Sequence, residues 1–140
     1  MNCLIDSIHD NTIESYKIDF ESENILITTK RYNTNEIVQV VFTGAMAHYF
    51  ENPMKGSILL DIDEHSIENF IFNNKKLLEK QKKYGWPMSY DSYIELEDYL
   101  LAKRFKYYVI YASIGLSGWI LAKSIETINV DLSKTNESII

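Results

Sequence analysis

The hydrophobic period of this chain changes twice, and that change limits the fold more than any other feature. From residue 11 to 63 apolar side chains recur mainly at every second position, and from 65 to about 105 at every third or fourth. From 106 to 113 the period of two returns; over 119–128 Trp119, Ala122 and Glu126 could share a helical face, whereas Ile120, Ile125 and Ile128 favour strand. Alternation puts residues on the two faces of a strand, whereas steps of three and four gather them on one stripe of a helix. "NTIESYKIDF" (11–20), "ILITTKRY" (25–32) and "IVQVVF" (37–42) read as three strands joined by the polar turns "ESEN" and "NTNE". Short polar connections of this kind make an antiparallel meander. "TGAMAHYFENPMKG" (43–56), broken by Gly44, Pro53 and Gly56, reads as an irregular connection with a helical turn at "AMAHYF", and "SILLDID" (57–63) as a fourth strand.

Ile67, Phe70, Ile71, Asn74, Leu77, Leu78 and Gln81 then form one helical stripe, and Gly85 and Pro87 stop it. "SYIELEDYLLAKRF" (92–105) opens with Ser92 and carries Glu95 three residues on, the pattern of a capping box. "KYYVIYAS" (106–113) is apolar on both faces, as a central strand should be. The order is four strands, two helices, two strands. A run of strands followed by helices argues α+β: one antiparallel sheet of about six strands, two helices on one face, and the other face partly exposed. The length suits one domain over residues 1–130, with the polar "DLSKTNESII" (131–140) as a loose tail.

Charge and cysteine content remove several function classes. The formal net charge is −6, which disfavours a generic nucleic-acid binder. The charge is uneven: residues 1–73 hold 4 basic and 12 acidic side chains, residues 74–106 hold 8 basic and 5 acidic. The acidic half can steer a basic partner. Lys75, Lys76, Lys80, Lys82 and Lys83, with Tyr84 and Trp86 beyond, read as a solvated helix face rather than a groove for single strands. "MNCLIDSIHD" has no basic leader region, and no apolar run approaches the ~20 residues of a membrane span. Cys3 is alone, so no disulfide framework or multi-cysteine metal site forms within the chain. A soluble, cytoplasmic protein is expected.

The one segment that looks like a chemical motif is "YASIGLSGWILAKSIETI" (111–128). A phosphate loop needs glycine five residues before Gly-Lys-Ser/Thr, but Ile120 follows Gly115 at that distance and Ala122 precedes Lys123. Two glycines without a βαβ unit are no dinucleotide fingerprint. "GLSGW" places Trp119 where a nucleophile elbow needs its second glycine. The segment therefore reads as a hairpin turn, "IGLSG", joining 106–113 to 119–128, with Trp119 beside the tyrosines. No cofactor motif is present.

Other chemistry rests on dispersed residues. Asp61 and Asp63 alternate on one strand face and His65 follows, a set that suits a hard or borderline cation, though acids at a helix start serve the dipole equally well. His9 and Asp10 form a possible acid–base pair, and His48 is the third imidazole that folding would have to bring to His9 and His65. A small metal-dependent hydrolase would use His9, His65, Asp61 and Asp63. A binding module would use the exposed sheet face and acidic strand ends: Tyr107, Tyr111, Trp119, Asp61, Asp63 and Glu64. A self-associating domain, such as a homodimer, would use Tyr107, Tyr111 and Trp119.

With "HD" (His9–Asp10) before a strand meander and "YASIGLSGWILAKSIE" (111–126) near its end, the chain resembles immunity proteins of bacterial toxin loci. The resemblance implies a non-enzymatic cytoplasmic protein that blocks a toxin by binding it; the acidic charge balance would suit a basic toxin. It transfers no site residue and implies no cofactor.

Overall fold

In a computed structural model of the chain, residues 7–130 are described. The early period-two segments form β1 (Thr12–Asp19), β2 (Asn24–Lys30) and β3 (Ile37–Thr43). They pair antiparallel in succession, as the polar turns require. β4 (Ala47–Glu51) and β5 (Ile58–His65) follow, then helices α1 (Ile67–Asn73) and α2 (Lys75–Gln81), a 3-10 turn (Lys82–Tyr84) and α3 (Tyr93–Ala102). β6 (Lys106–Ile114), β7 (Ser117–Ala122) and β8 (Ser124–Val130) complete the described residues. The protein is α+β with one antiparallel sheet. The sheet has eight strands, in the order β4-β7-β6-β5-β1-β2-β3-β8, rather than about six. From β1 onward, among the described residues, five strands precede three helices and three strands follow, rather than four, two and two.

Both extra strands arise at bends. The "AMAHYF" segment is not a helical turn but supplies β4, because His48 and Phe50 alternate with Ala47 and Tyr49 and β7 lies alongside to pair with them. The segment 119–128 is strand throughout except at Lys123, where it bends from β7 into β8. The two bends face each other. Thr43 pairs with Ser124 before the bend and Ala47 with Leu121 after it. Hydrogen bonds from Met46 N–H to the Leu121 carbonyl (2.8 Å) and from Lys123 N–H to the Thr43 carbonyl (2.9 Å) carry the ladder across. The terminal strands of the sheet, β4 and β8, are thus continuations of β3 and β7. β1 meets β5 at Thr12 and Ile58, with Ile13 N–H bonded to the Ser57 carbonyl, and the sheet closes on itself.

Closure decides where the core sits. Ile25, Ile27, Val40, Phe42, Leu59, Ile62, Ile110 and Ile120 are buried together inside the curved sheet. The face without helices, expected to be partly exposed, is the interior instead. Curvature lets eight strands hide that face without a second layer. A second cluster lies outside, where Phe70, Leu78, Leu96 and Leu100 of the helices cover Ala47, Tyr107, Trp119 and Leu121. β6 and β7 serve both clusters, since alternate residues such as Tyr107 and Tyr108 point to opposite sides.

The helical stripe is real but interrupted. Asn74 turns its amide from the helix to donate to the Phe70 carbonyl (2.8 Å) and to Tyr107 Oη on β6 (3.3 Å). That competition with backbone hydrogen bonding splits the expected 67–81 helix in two while keeping both halves on one face. α3 starts as expected: Ser92 Oγ accepts from Glu95 N–H (3.2 Å). The glutamate's return bond goes to Asp91 N–H (2.6 Å), one residue earlier than the usual box. Cys3 and the tail at 131–140 lie outside the described residues.

Candidate functional site

The glycine-rich segment is a turn followed by a strand. β6 and β7 pair antiparallel from Lys106↔Ala122 to Ile110↔Gly118, with Gly115 and Leu116 between the strands. Each glycine answers a close approach. A Cβ on Gly115 (φ +86°) would lie 2.1 Å from Ser57 Oγ. That hydroxyl accepts from Leu116 N–H (3.0 Å) and donates to the Met54 carbonyl (2.7 Å). A Cβ on Gly118 (φ +147°) would lie 1.9 Å from the Tyr49 carbonyl oxygen of β4. Ser117 pairs with Glu51 in the β4–β7 ladder, and the imidazole hydrogen bonds among the described residues go to Leu60 and Tyr111, not to Ser117.

The dispersed candidates fare differently. β5 carries Asp61, Asp63 and His65 opposite Tyr111, Val109 and Tyr107 of β6. His65 Nε2 lies 3.1 Å from Tyr111 Oη. His9 Nδ1 lies 3.0 Å from the Leu60 carbonyl, and its ring acts electrostatically on Asp61. The fold therefore gathers His9, Asp61, Asp63, His65 and Tyr111 along one stretch of the outer face. His48 is elsewhere, on β4 against Phe50, where burial lowers its pKa. Glu64, one residue out of phase with the two aspartates, falls on the opposite side and pairs with Lys106 (3.6 Å). Tyr107 and Trp119 are 3% and 5% exposed, packed edge-to-face with Phe70 under the helices. As partner contacts these two are corrected: the helical layer covers them. Tyr111, 38% exposed, remains open.

Two like charges share this face. Partial burial raises the Asp61 pKa, and a hydrogen bond and Coulomb repulsion from Asp63 raise it further, outweighing the Ile62 amide and His9. Burial also raises the Tyr111 pKa, with help from Asp63, Tyr107 and Asp61. Neither aspartate forms an ion pair with Lys or Arg among the described residues. No group of three or more His, Cys, Asp or Glu among them is arranged to hold a metal ion. The set proposed for a hydrolase is thus gathered but does not converge on a coordination point.

A raised carboxyl pKa has a definite sign in stability. Between the unfolded and native values the native state binds more protons, so stability falls as pH rises through that window. At neutral pH the ionised Asp61 is a net cost. Asp61→Asn keeps the acceptor for Ile62 N–H and offers a donor to Asp63. The variant should melt higher than the parent at neutral pH, and its advantage should vanish below the ordinary carboxylate range. Thermal melts across that range check this, and an equal or lower melting point at neutral pH would refute it.

Sequence reading missed two open clefts. One, of about 620 Å³, is bounded by Thr12–Tyr16, Pro53–Ser57 and Leu116. The other, of about 420 Å³, is bounded by Tyr49 and Phe72–Leu77. The exposed Phe72, off the helical stripe, was the available signal for the second. The lysines at 75, 76, 80, 82 and 83 are exposed. No helix among the described residues is long and apolar enough to cross a membrane.

Fold and site together define an α+β protein with a self-closing antiparallel sheet, a helical layer on one side, and an acidic, aromatic strip beside that layer. No family model matches the chain, and no curated protein or solved structure matches it either.

Proposed function

We propose that this protein works without catalysis, by binding another protein, and that its partner presents a basic group to the Asp61–Asp63 strip. An immunity-type antidote that blocks a bacterial toxin in the cytoplasm is the form of this function that the resemblance implies. The observation that supports it is the aspartate pair itself. Two carboxylates crowd each other on an open face without a lysine or arginine to neutralise them among the described residues. A guanidinium or ammonium from outside relieves that repulsion, and the neighbouring Tyr111 adds an apolar ring with a polar tip, the side-chain type that interfaces favour. A standard interface covers about 800 Å² on each partner, so the contact extends well beyond these residues.

The test is co-purification of the tagged chain from its native host, followed by affinity measurement on the protein recovered. Removing one side of a buried, hydrogen-bonded charge pair costs about 2–5 kcal/mol. The Asp61→Asn/Asp63→Asn double variant should therefore bind at least about 30-fold more weakly. Recovery of the chain with no protein partner, or equal affinity of the double variant, would defeat the proposal.

A further inference from the structure

Among the described residues β8 is an edge strand, and its sequence matches itself. It pairs with β3 through seven residue pairs, from Ile37↔Val130 to Thr43↔Ser124, and among the described residues no strand lies on its other side. Natural edges are blunted by shortness, proline, lysine or a bulge. The other terminal strand, β4, has only five residues, and Phe50 packs against Tyr16 (5.1 Å) beside it. Of these and the other device, a charged side chain, β8 has only Glu126. "SIETINV" is seven residues in unbroken register, with one charge, Glu126, and an Ile128 left 41% exposed.

We infer that a second copy of this chain pairs with β8, antiparallel about a two-fold axis at Thr127, joining two closed sheets edge to edge. Faces, charges and the number of residues paired together select that register. A shift by one residue would set the interior side, Ile125, Thr127 and Asn129, against the outer side of the partner copy, which the pleat forbids. A shift that centres the axis on Glu126 would put that carboxylate opposite itself, a destabilising cross-strand pair. Centred on Thr127, all seven residues are paired: Ser124 faces Val130, Ile125 faces Asn129, and Glu126 faces Ile128. Each glutamate then lies against an aliphatic side chain, and each Ile128 is covered. The contact is a narrow ladder without a broad apolar patch, so the dimer dissociates on dilution. This surface is separate from the Asp61–Asp63 strip, so the two ideas fail independently. It also places self-association away from Tyr107 and Trp119, which the helices cover.

The experiment uses the full chain. Sedimentation or light scattering over a concentration series should show monomer passing to dimer; monomer at every concentration would overturn the inference. In a Cys3→Ser background, Thr127→Cys should be linked between copies by air oxidation. Opposed Cα atoms lie about 4.5–5.5 Å apart, inside the disulfide range of about 4.4–6.8 Å. Ser124→Cys should not link, and linkage of both alike would overturn the register. Ile128→Glu sets a carboxylate opposite Glu126 on each side of the axis and should weaken the dimer up to about tenfold. Adding Glu126→Lys should restore it, which a mere folding defect would not permit. A dimer seen only after deletion of residues 131–140 would mean that the chain's own tail occupies the edge, and would also overturn the inference.

Discussion

Phe70→Ala should lower unfolding free energy by about 3–5 kcal/mol, the cost of removing a large aromatic side chain from a packed core. Phe70 is fully buried and meets Tyr107 and Trp119 edge-to-face at 5.2 and 5.1 Å. It is the point at which α1 grips both β6 and β7, so truncation leaves a hole that short helices close poorly. Phe42→Ala, in the interior of the sheet, should cost a similar amount. Because β6 and β7 line both clusters, each variant should still unfold in one transition, with fluorescence and circular dichroism coincident. Separate transitions, or for Phe70→Ala a loss below about 1 kcal/mol, about a fivefold change or less in the folded ratio, would show that the helical layer is not integral to the fold.

Gly118→Ala should be nearly as damaging, by about 3 kcal/mol, through backbone strain together with overpacking. The φ of +147° is unsuited to an L side chain, and the added methyl would meet the Tyr49 carbonyl of β4 at 1.9 Å. That oxygen belongs to a paired strand and has little room to retreat. Gly56→Ala separates the two causes. It too has a positive φ, +87°, but its Cβ would meet nothing within 4 Å. It should cost only the left-handed conformation, about 1–2 kcal/mol. Equal losses in chemical denaturation would mean that contact with β4 is not what requires glycine at 118.

The local parts of the fold were legible because local physics decides them. The meander of β1, β2 and β3 follows from alternation and polar turns, and the cap at Ser92 from a serine three residues before a glutamate. The turn at Gly115 was legible as a turn because no phosphate or nucleophile spacing fits it. The pairing of Asp61 with Asp63 on one face followed from a period of two, and so did the separation of Glu64, although parity was not applied to it. β4 was not legible: "AHYFE" alternates weakly, and its extended form depends on β7, about seventy residues away in the chain. The break at Asn74 was hidden because its partner, Tyr107, sits on a strand the helix meets only after folding.

The amino-acid sequence by itself determined that strands, helices and strands follow one another, and that the sheet is antiparallel. Repeating apolar periods and short polar turns act over a few residues and need no distant partner. Only the tertiary structure decided that the sheet closes, that its free face becomes an interior, and that Tyr107 and Trp119 are covered while Tyr111 is not. Those outcomes depend on bends at Gly44–Met46 and Lys123 lying side by side, a contact between residues nearly eighty positions apart that no local pattern encodes.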